Sequence, residues 1–188
     1  MLHFRRVSDE VLFSDEPVIK VGRAEIEWLK DQAKLNSRKR IRLCAHRDVD
    51  DKLHEMLIVH TNETYVAPHK HLTKNESFHV VEGCADVVIF DDSGNVVEVI
   101  RMGDYSSDRI FYYRISERCY HTLLIRSKFL VFHETANGPF KRADTVLAPW
   151  APDDGDSAAQ NQFMERISKL WIGFDRIVLS GESKEPRI

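Results

Sequence analysis

The segment from Pro68 to Gly83, PHKHLTKNESFHVVEG, places three histidines and two glutamates within sixteen residues. Imidazole nitrogens and carboxylate oxygens are donors that divalent transition metals accept. Spacing decides whether they can share one ion. On a β-strand, residues i and i+2 point to the same face, so His69 and His71 project together, with Cα atoms roughly 6.5–7 Å apart. Four residues, Leu72 to Asn75, then make a turn, and Glu76 opens the next strand, expected to pair back against the first so that its carboxylate reaches the same point. If Glu76 faces inward, Phe78 and Val80 do too, and His79 turns away. Gly83 ends this strand at a turn expected to need positive φ.

A further ligand has to come from a distant strand, and two histidines qualify. His121, in SERCYHTLL, shares parity with Leu123 and Ile125, which aims it inward. His133, in LVFHETANG, shares a face with Val131. Three neutral imidazoles and one carboxylate suit Zn, Fe, Mn, Ni or Co without choosing among them. The expected cofactor is therefore one divalent transition metal ion.

These residues need a framework of strands. From Lys39 onward the apolar pattern has period two, in short runs rich in Val, Ile, Phe and Tyr. It predicts strands at Arg40–Ala45, Met56–His60, Tyr65–His69, Ser77–Glu82, Ala85–Phe90, Val96–Arg101, Ile110–Ile115, Tyr120–Ile125 and Phe129–Glu134. Turn residues separate many of them, as in Asp91-Asp-Ser-Gly94 and Asn137-Gly-Pro139. Nine short strands with few helices read as an all-β closed barrel or double-sheet jelly roll. Before it, residues 1–23 fit either two short strands or a loosely ordered arm. Ala24–Leu35 reads as an amphipathic helix with Ile26, Leu29 and Ala33 on one side and Glu25, Lys30 and Lys34 elsewhere. After Val146 the chain is loop-like. A second helix is expected at about Gln160–Leu170, with Phe163, Ile167 and Leu170 on one face, and the tail SGESKEPRI is expected to fray. The expected organisation is an N-terminal arm and helix over 1–38, a barrel over 39–147, and a C-terminal loop and helix over 148–188.

The whole chain narrows the function. Its 188 residues carry 27 Lys and Arg against 30 Asp and Glu, a net charge of −3, which gives no footprint for nucleic acid. The run Ser37-Arg-Lys-Arg-Ile-Arg42 is short and reads as a local feature. Cys44, Cys84 and Cys119 form no paired spacing, so reduced thiols and a cytoplasmic location are expected. No apolar stretch has the length of a membrane span, and MLHFRRVSDEVLF lacks a signal-peptide core.

His69-x-His71, four residues, Glu76, six residues and Gly83 together resemble the first cupin motif, with Tyr65 and Pro68 in the approach strand. Ser116-Glu-Arg118-Cys-Tyr-His121 resembles the second motif but has Ser for its Pro and Arg for its Gly. Over about Leu35–Pro152, the segments RIRLCAH, EMLIVH, VVIFDDSGNV, FYYRI, FHETANGPF and APWAP resemble the WbuC-type cupin-fold metalloproteins, some of which occur with bacterial O-antigen polysaccharide biosynthesis. That resemblance implies a cupin jelly-roll barrel, a metal held by His69, His71, Glu76 and His121, and pairing into a homodimer. It implies no settled reaction.

Other residues could handle a small-molecule ligand or substrate. Arg40 and Arg42 share parity on one strand. Facing the barrel mouth they would grip a phosphate or carboxylate; facing solvent they would merely blunt an edge strand. Tyr65, Tyr113, Lys74 and Glu134 are further candidates, and His133 could orient a ligand from behind. His46, His54 and His60 read as polar residues at strand ends. The expected function is a metal-dependent enzyme, for instance an isomerase or epimerase, acting on a small sugar-like or carbonyl metabolite. The alternatives are a non-catalytic small-ligand-binding or sensory module and an Fe(II) dioxygenase.

Overall fold

The computed structural model describes residues 3–178, with side chains up to Lys169. The chain divides into two compact units, 1–151 and 152–188. The elements, in order, are β1 (Phe4–Arg6), β2 (Val11–Ser14), α1 (Arg23–Leu35), β3 (Arg40–Cys44), β4 (Leu53–Thr61), β5 (His69–His71), β6 (Glu76–Glu82), β7 (Cys84–Phe90), β8 (Val96–Gly103), β9 (Tyr112–Ile115), β10 (Tyr120–Ile125), β11 (Phe129–Asn137), β12 (Thr145–Leu147) and α2 (Ser157–Val178).

Two sheets form the first unit. One has seven strands in the order β1-β2-β3-β4-β11-β6-β9, the other five in the order β12-β5-β10-β7-β8. Sequence neighbours such as β5 and β6 lie in different sheets, so the chain crosses repeatedly between layers. This is an all-β double-sheet jelly roll. Every pairing is antiparallel except that of β2 with β3. The N-terminal residues therefore form two strands of the larger sheet, the first of the two arrangements open to them.

Alternation along the strands sorts side chains into two cores. Met56, Ile58, Phe78, Val80, Leu130 and Phe132 from the larger sheet meet Val87, Ile89 and Leu123 from the smaller one. On the reverse face, Ile41, Leu43, Val59 and Val131 take the apolar stripe of α1, with Leu29 and Ala33 fully covered. Burying a leucine side chain in this way contributes roughly 1.5–3 kcal/mol. The helix starts where Glu25 reaches back to accept from the Gly22 N–H at 3.0 Å.

Lys30, expected to lie away from the apolar stripe, is nonetheless buried. Its stem covers apolar surface, and its amine donates to Glu27 at 2.8 Å and Glu82 at 2.7 Å, tying α1 to β6. Gly83 has φ +87, as its turn requires. The predicted strand at Tyr65–His69 is corrected, since residues 64–68 are irregular and the strand is His69–His71. The strand expected from Ile110 begins at Tyr112, and the short β12 was not foreseen.

In the second unit α2 starts at Ser157, where the Asp156 carboxylate accepts from the Ala159 N–H at 2.9 Å. Phe163 and Ile167 share one face of it. The Leu170 side chain and the tail SGESKEPRI lie outside the described residues. Among the described residues, no helix is long and apolar enough to cross a membrane. The three cysteines are free thiols.

Candidate metal centre

Three histidines from the smaller sheet gather at one point. Alternation along β5 turns Lys70 outward, where it pairs with Asp92 at 2.6 Å, and leaves His69 and His71 on the other face. His121 on β10 stands opposite His69 in the ladder. One ring nitrogen from each of His69, His71 and His121 lies within 4.8 Å of the others, an arrangement that could hold a metal ion. Across the barrel, the first residue of β6 supplies a carboxylate. Glu76 Oε2 lies 3.1 Å from His71 Nε2, and Oε1 lies 3.0 Å from His121 Nε2. All three residues of this bridge are buried.

The outer nitrogens explain why the inner ones converge. His69 Nδ1 donates to the Ala67 carbonyl at 2.9 Å, and His121 Nδ1 donates to the Cys119 carbonyl at 3.2 Å. His71 Nδ1 faces the Thr145 hydroxyl at 3.2 Å. An Nδ1 bound to an oxygen fixes ring orientation and, where it donates, the tautomer, so that Nε2 points the other way. The three rings are thus aimed before anything binds.

The electrostatics agree with this donor set. Burial, reinforced by the neighbouring His121, drops the His69 pKa to about 3, which keeps its inner nitrogen a lone-pair donor. Burial also works against a charge on His121, but the hydrogen bond and negative charge of Glu76 outweigh it and raise that pKa. Both nitrogens of His121 face oxygen acceptors, so its inner proton stands where a cation is wanted. Glu76 is pushed up by burial, yet its bonds to His121 and His71 prevail and hold it well below the usual carboxylate range. Buried imidazoles closing on a buried carboxylate are a set that fits a divalent transition metal.

The remaining candidates are scattered. His79 is exposed, as expected. His133 is corrected: it lies on the same side of β11 as Val131, which packs under α1, and its Nε2 approaches Glu55 at 3.9 Å, outside the barrel. Parity with Val131 was read properly, but Val131 belongs to the outer core. Its neighbour Glu134 faces inward instead, pairing with Lys74 at 3.5 Å. Tyr113 is buried and stacked on Phe78 at 5.3 Å, and it feels the charges of Glu76 and Glu134. Tyr65 is half-buried in an irregular segment, so counting by twos from His69 does not fix its direction. Arg40 and Arg42 do not sit on an edge, since β3 runs between β2 and β4, and Arg40 donates to Glu10 at 2.7 Å.

His46, His54 and His60 lie at or next to strand ends, as expected, and all three are buried. His46 and His54 stack with centroids 4.1 Å apart, and His46 Nδ1 is bonded to the backbone of Glu55. Thr145 was missed. It meets His71 from β12, far along the sequence, and nothing in its local pattern distinguishes it.

A family model described as "Domain of unknown function (DUF6016)" matches residues 21–102. No curated protein matches the chain. Among solved structures, protein SO0799 from Shewanella oneidensis is similar with a TM-score of 0.44 and 10% identity, covering 55% of this chain and 66% of that one. Oxalate decarboxylase from Bacillus subtilis has a TM-score of 0.42 at 16% identity, covering 53% of this chain and 24% of that one. CapF, in complex with the inhibitor 3-isopropenyl-tropolone, has a TM-score of 0.44 at 21% identity, covering 56% and 31%. The chain therefore matches just under two thirds of the first protein and about a quarter of the second.

Proposed function

We propose that the chain is a cupin-fold metalloprotein in which His69, His71, Glu76 and His121 hold one divalent transition metal ion. One observation carries this reading: each of the three imidazoles is anchored at Nδ1 by an oxygen while its other nitrogen converges on the Glu76 side of the barrel. We read it further as a metal-dependent enzyme acting on a small sugar-like or carbonyl metabolite. Bound there, the ion would supply Lewis-acid polarisation of a substrate oxygen.

The protein's own groups support proton chemistry beside it. Burial, followed by the negative charges of Glu76 and Glu134, raises the Tyr113 pKa well above its ordinary value, so the phenol keeps its proton and acts as a donor. Its hydroxyl makes no hydrogen bond among the described residues, which leaves that proton for a substrate oxygen. Glu134, paired with Lys74, is a carboxylate on the same face and a candidate to accept a proton. Tyr113 and Glu134 thus form a donor and an acceptor suited to isomerising or epimerising a carbonyl compound.

The WbuC-type assignment, and the link to polysaccharide biosynthesis, rest on the sequence resemblance. So does the homodimer, which light scattering of the purified protein would test. The metal reading is tested by elemental analysis of purified protein together with His71→Ala and Glu76→Gln. About one equivalent of metal is expected in the parent protein, with severe loss in both variants. Undiminished metal in His71→Ala would refute the ligand set.

A further inference from the structure

The basic run Ser37-Arg-Lys-Arg-Ile-Arg42 takes no part in the metal centre. Within it Lys39 has φ 58, a left-handed conformation uncommon for a side chain of this size. Beyond it, Arg40 and Arg42 alternate along β3 on the side where Cys44 joins the interior core, while Ile41 and Leu43 pack under α1. Arg40 stands directly opposite His60, and Arg42 opposite Ile58.

The donors here outnumber the acceptors. Glu10 is the carboxylate that serves the cluster, with Oε2 accepting from Arg40 at 2.7 Å and Oε1 lying 3.4 Å from Arg38. The half-buried Arg42 side chain has no ion pair or hydrogen bond among the described residues. His60 is 6% exposed, and its buried Nδ1 has no hydrogen-bond partner. Burial, then the charges of Arg40, Arg42 and Arg38, keeps that imidazole neutral, with one N–H to donate. Glu10 therefore serves two of the three guanidinium groups and reaches neither Arg42 nor the His60 imidazole. An unpaired guanidinium and an orphan ring nitrogen in a partly desolvated place are satisfied together by an oxygen-rich anion.

We propose that Arg42, with Arg40, Arg38 and the His60 imidazole, forms a binding site for a small oxyanion, a phosphate or carboxylate group. The planar fork of arginine matches either group in two-point contact. The partial burial of Arg42, the burial of His60 and the net charge of −3 select a small anion over a nucleic-acid backbone. The site is separate from the metal centre, since β3 lies three strands from β6, about 14 Å across the sheet.

Isothermal titration with inorganic phosphate, and separately with malonate, tests the proposal on the protein as purified. Saturable binding of at least one anion is expected, and the tighter of the two identifies the group recognised. Arg42→Ala should weaken it by about 10- to 100-fold, the loss of one charge-assisted two-point contact. Arg42→Lys should fall between, because it keeps the charge and loses the fork. Glu10→Gln should tighten binding by releasing the Arg40 fork. Metal content measured in parallel should match the parent in all three variants, which separates this site from the ligand set proposed above. Absence of saturable binding of both anions, parent-like binding by Arg42→Ala, or weaker binding by Glu10→Gln would overturn it.

Discussion

Thr145 and His71 stand opposite one another in neighbouring strands, with the Thr145 hydroxyl 3.2 Å from His71 Nδ1. Among the described residues it is the one side-chain hydroxyl bonded to a ring of the histidine cluster. The other two rings are held by main-chain carbonyls, which mutation cannot remove. Partners of this kind orient a ligand and typically govern 10- to 100-fold in metal affinity. Thr145→Val should therefore lower zinc affinity by about 10-fold with the fold retained, and Thr145→Ser should restore most of it. Competition against a chromophoric chelator reads both. Parent-like affinity in Thr145→Val would leave the hydroxyl without this role.

His60 makes stability depend on pH. Burial, then the nearby arginines, places its folded pKa well below 6.5. In the unfolded chain it titrates near 6.5, so below that pH the unfolded state binds a proton that the folded state refuses. Its contribution is fully present above about pH 6.5 and is lost as pH falls toward the folded pKa. Between pH 7.5 and 5.5 this single group should remove on the order of 1 kcal/mol. Urea unfolding of the parent and of His60→Leu, both in chelator, should show the variant losing that much less. An equal loss in the two proteins would contradict the assignment.

Gly83 sits at φ +87, and a Cβ there would run into the Phe129 carbonyl and the Ser127 hydroxyl. Gly83→Ala combines left-handed strain with a backbone collision, and should cost about 2–4 kcal/mol. The urea midpoint should drop with an unchanged slope. Gly94→Ala is the comparison: at a similar φ of +86, its Cβ would press on the Trp150 ring at 2.9 Å, a neighbour that can shift. The smaller loss should be at Gly94.

Cys44 should be chemically silent in the native protein. Burial, only slightly relieved by Arg42, pushes its thiol up to about 11. Thiolate is the reactive form, so aromatic disulfide reagents at pH 8 should label the half-buried Cys84 and Cys119 first. Cys44 should react at the rate of global unfolding. Peptide mapping that finds Cys44 labelled with the fast class would refute this.

What could be read from the sequence followed the reach of a simple rule. His69 and His71 share a face of one short strand, and Gly83 takes positive φ at its turn, as a repeat of two and turn chemistry require. The strand opened by Glu76 was expected to pair back against them, but β5 and β6 lie in different sheets, and Glu76 meets the histidines from the opposite wall. The rule failed where its premise failed. Tyr65 was counted as strand but lies in irregular chain, so its parity carries no meaning. His133 was assigned inward because it shares parity with an apolar residue, but this sheet has an apolar core on both faces, and α1 covers the side that His133 takes. Lys30 was read only as lying off the apolar stripe, and its burial went unseen because it depends on an ion pair with the exposed Glu82 of a distant strand. Thr145 was invisible because its partner lies 74 positions away in the sequence. Short-range periodicity fixes faces; it does not reveal what a distant strand brings to them.

The carboxylate of Glu76 belongs to the seven-stranded sheet, whereas the three imidazoles belong to the five-stranded one. An ion held by all four, as proposed, would rivet the two walls together, and its loss would free one wall to breathe against the other. Metal supply and mechanical rigidity would then be a single variable, and metal-depleted protein would be the more quickly cut by proteases.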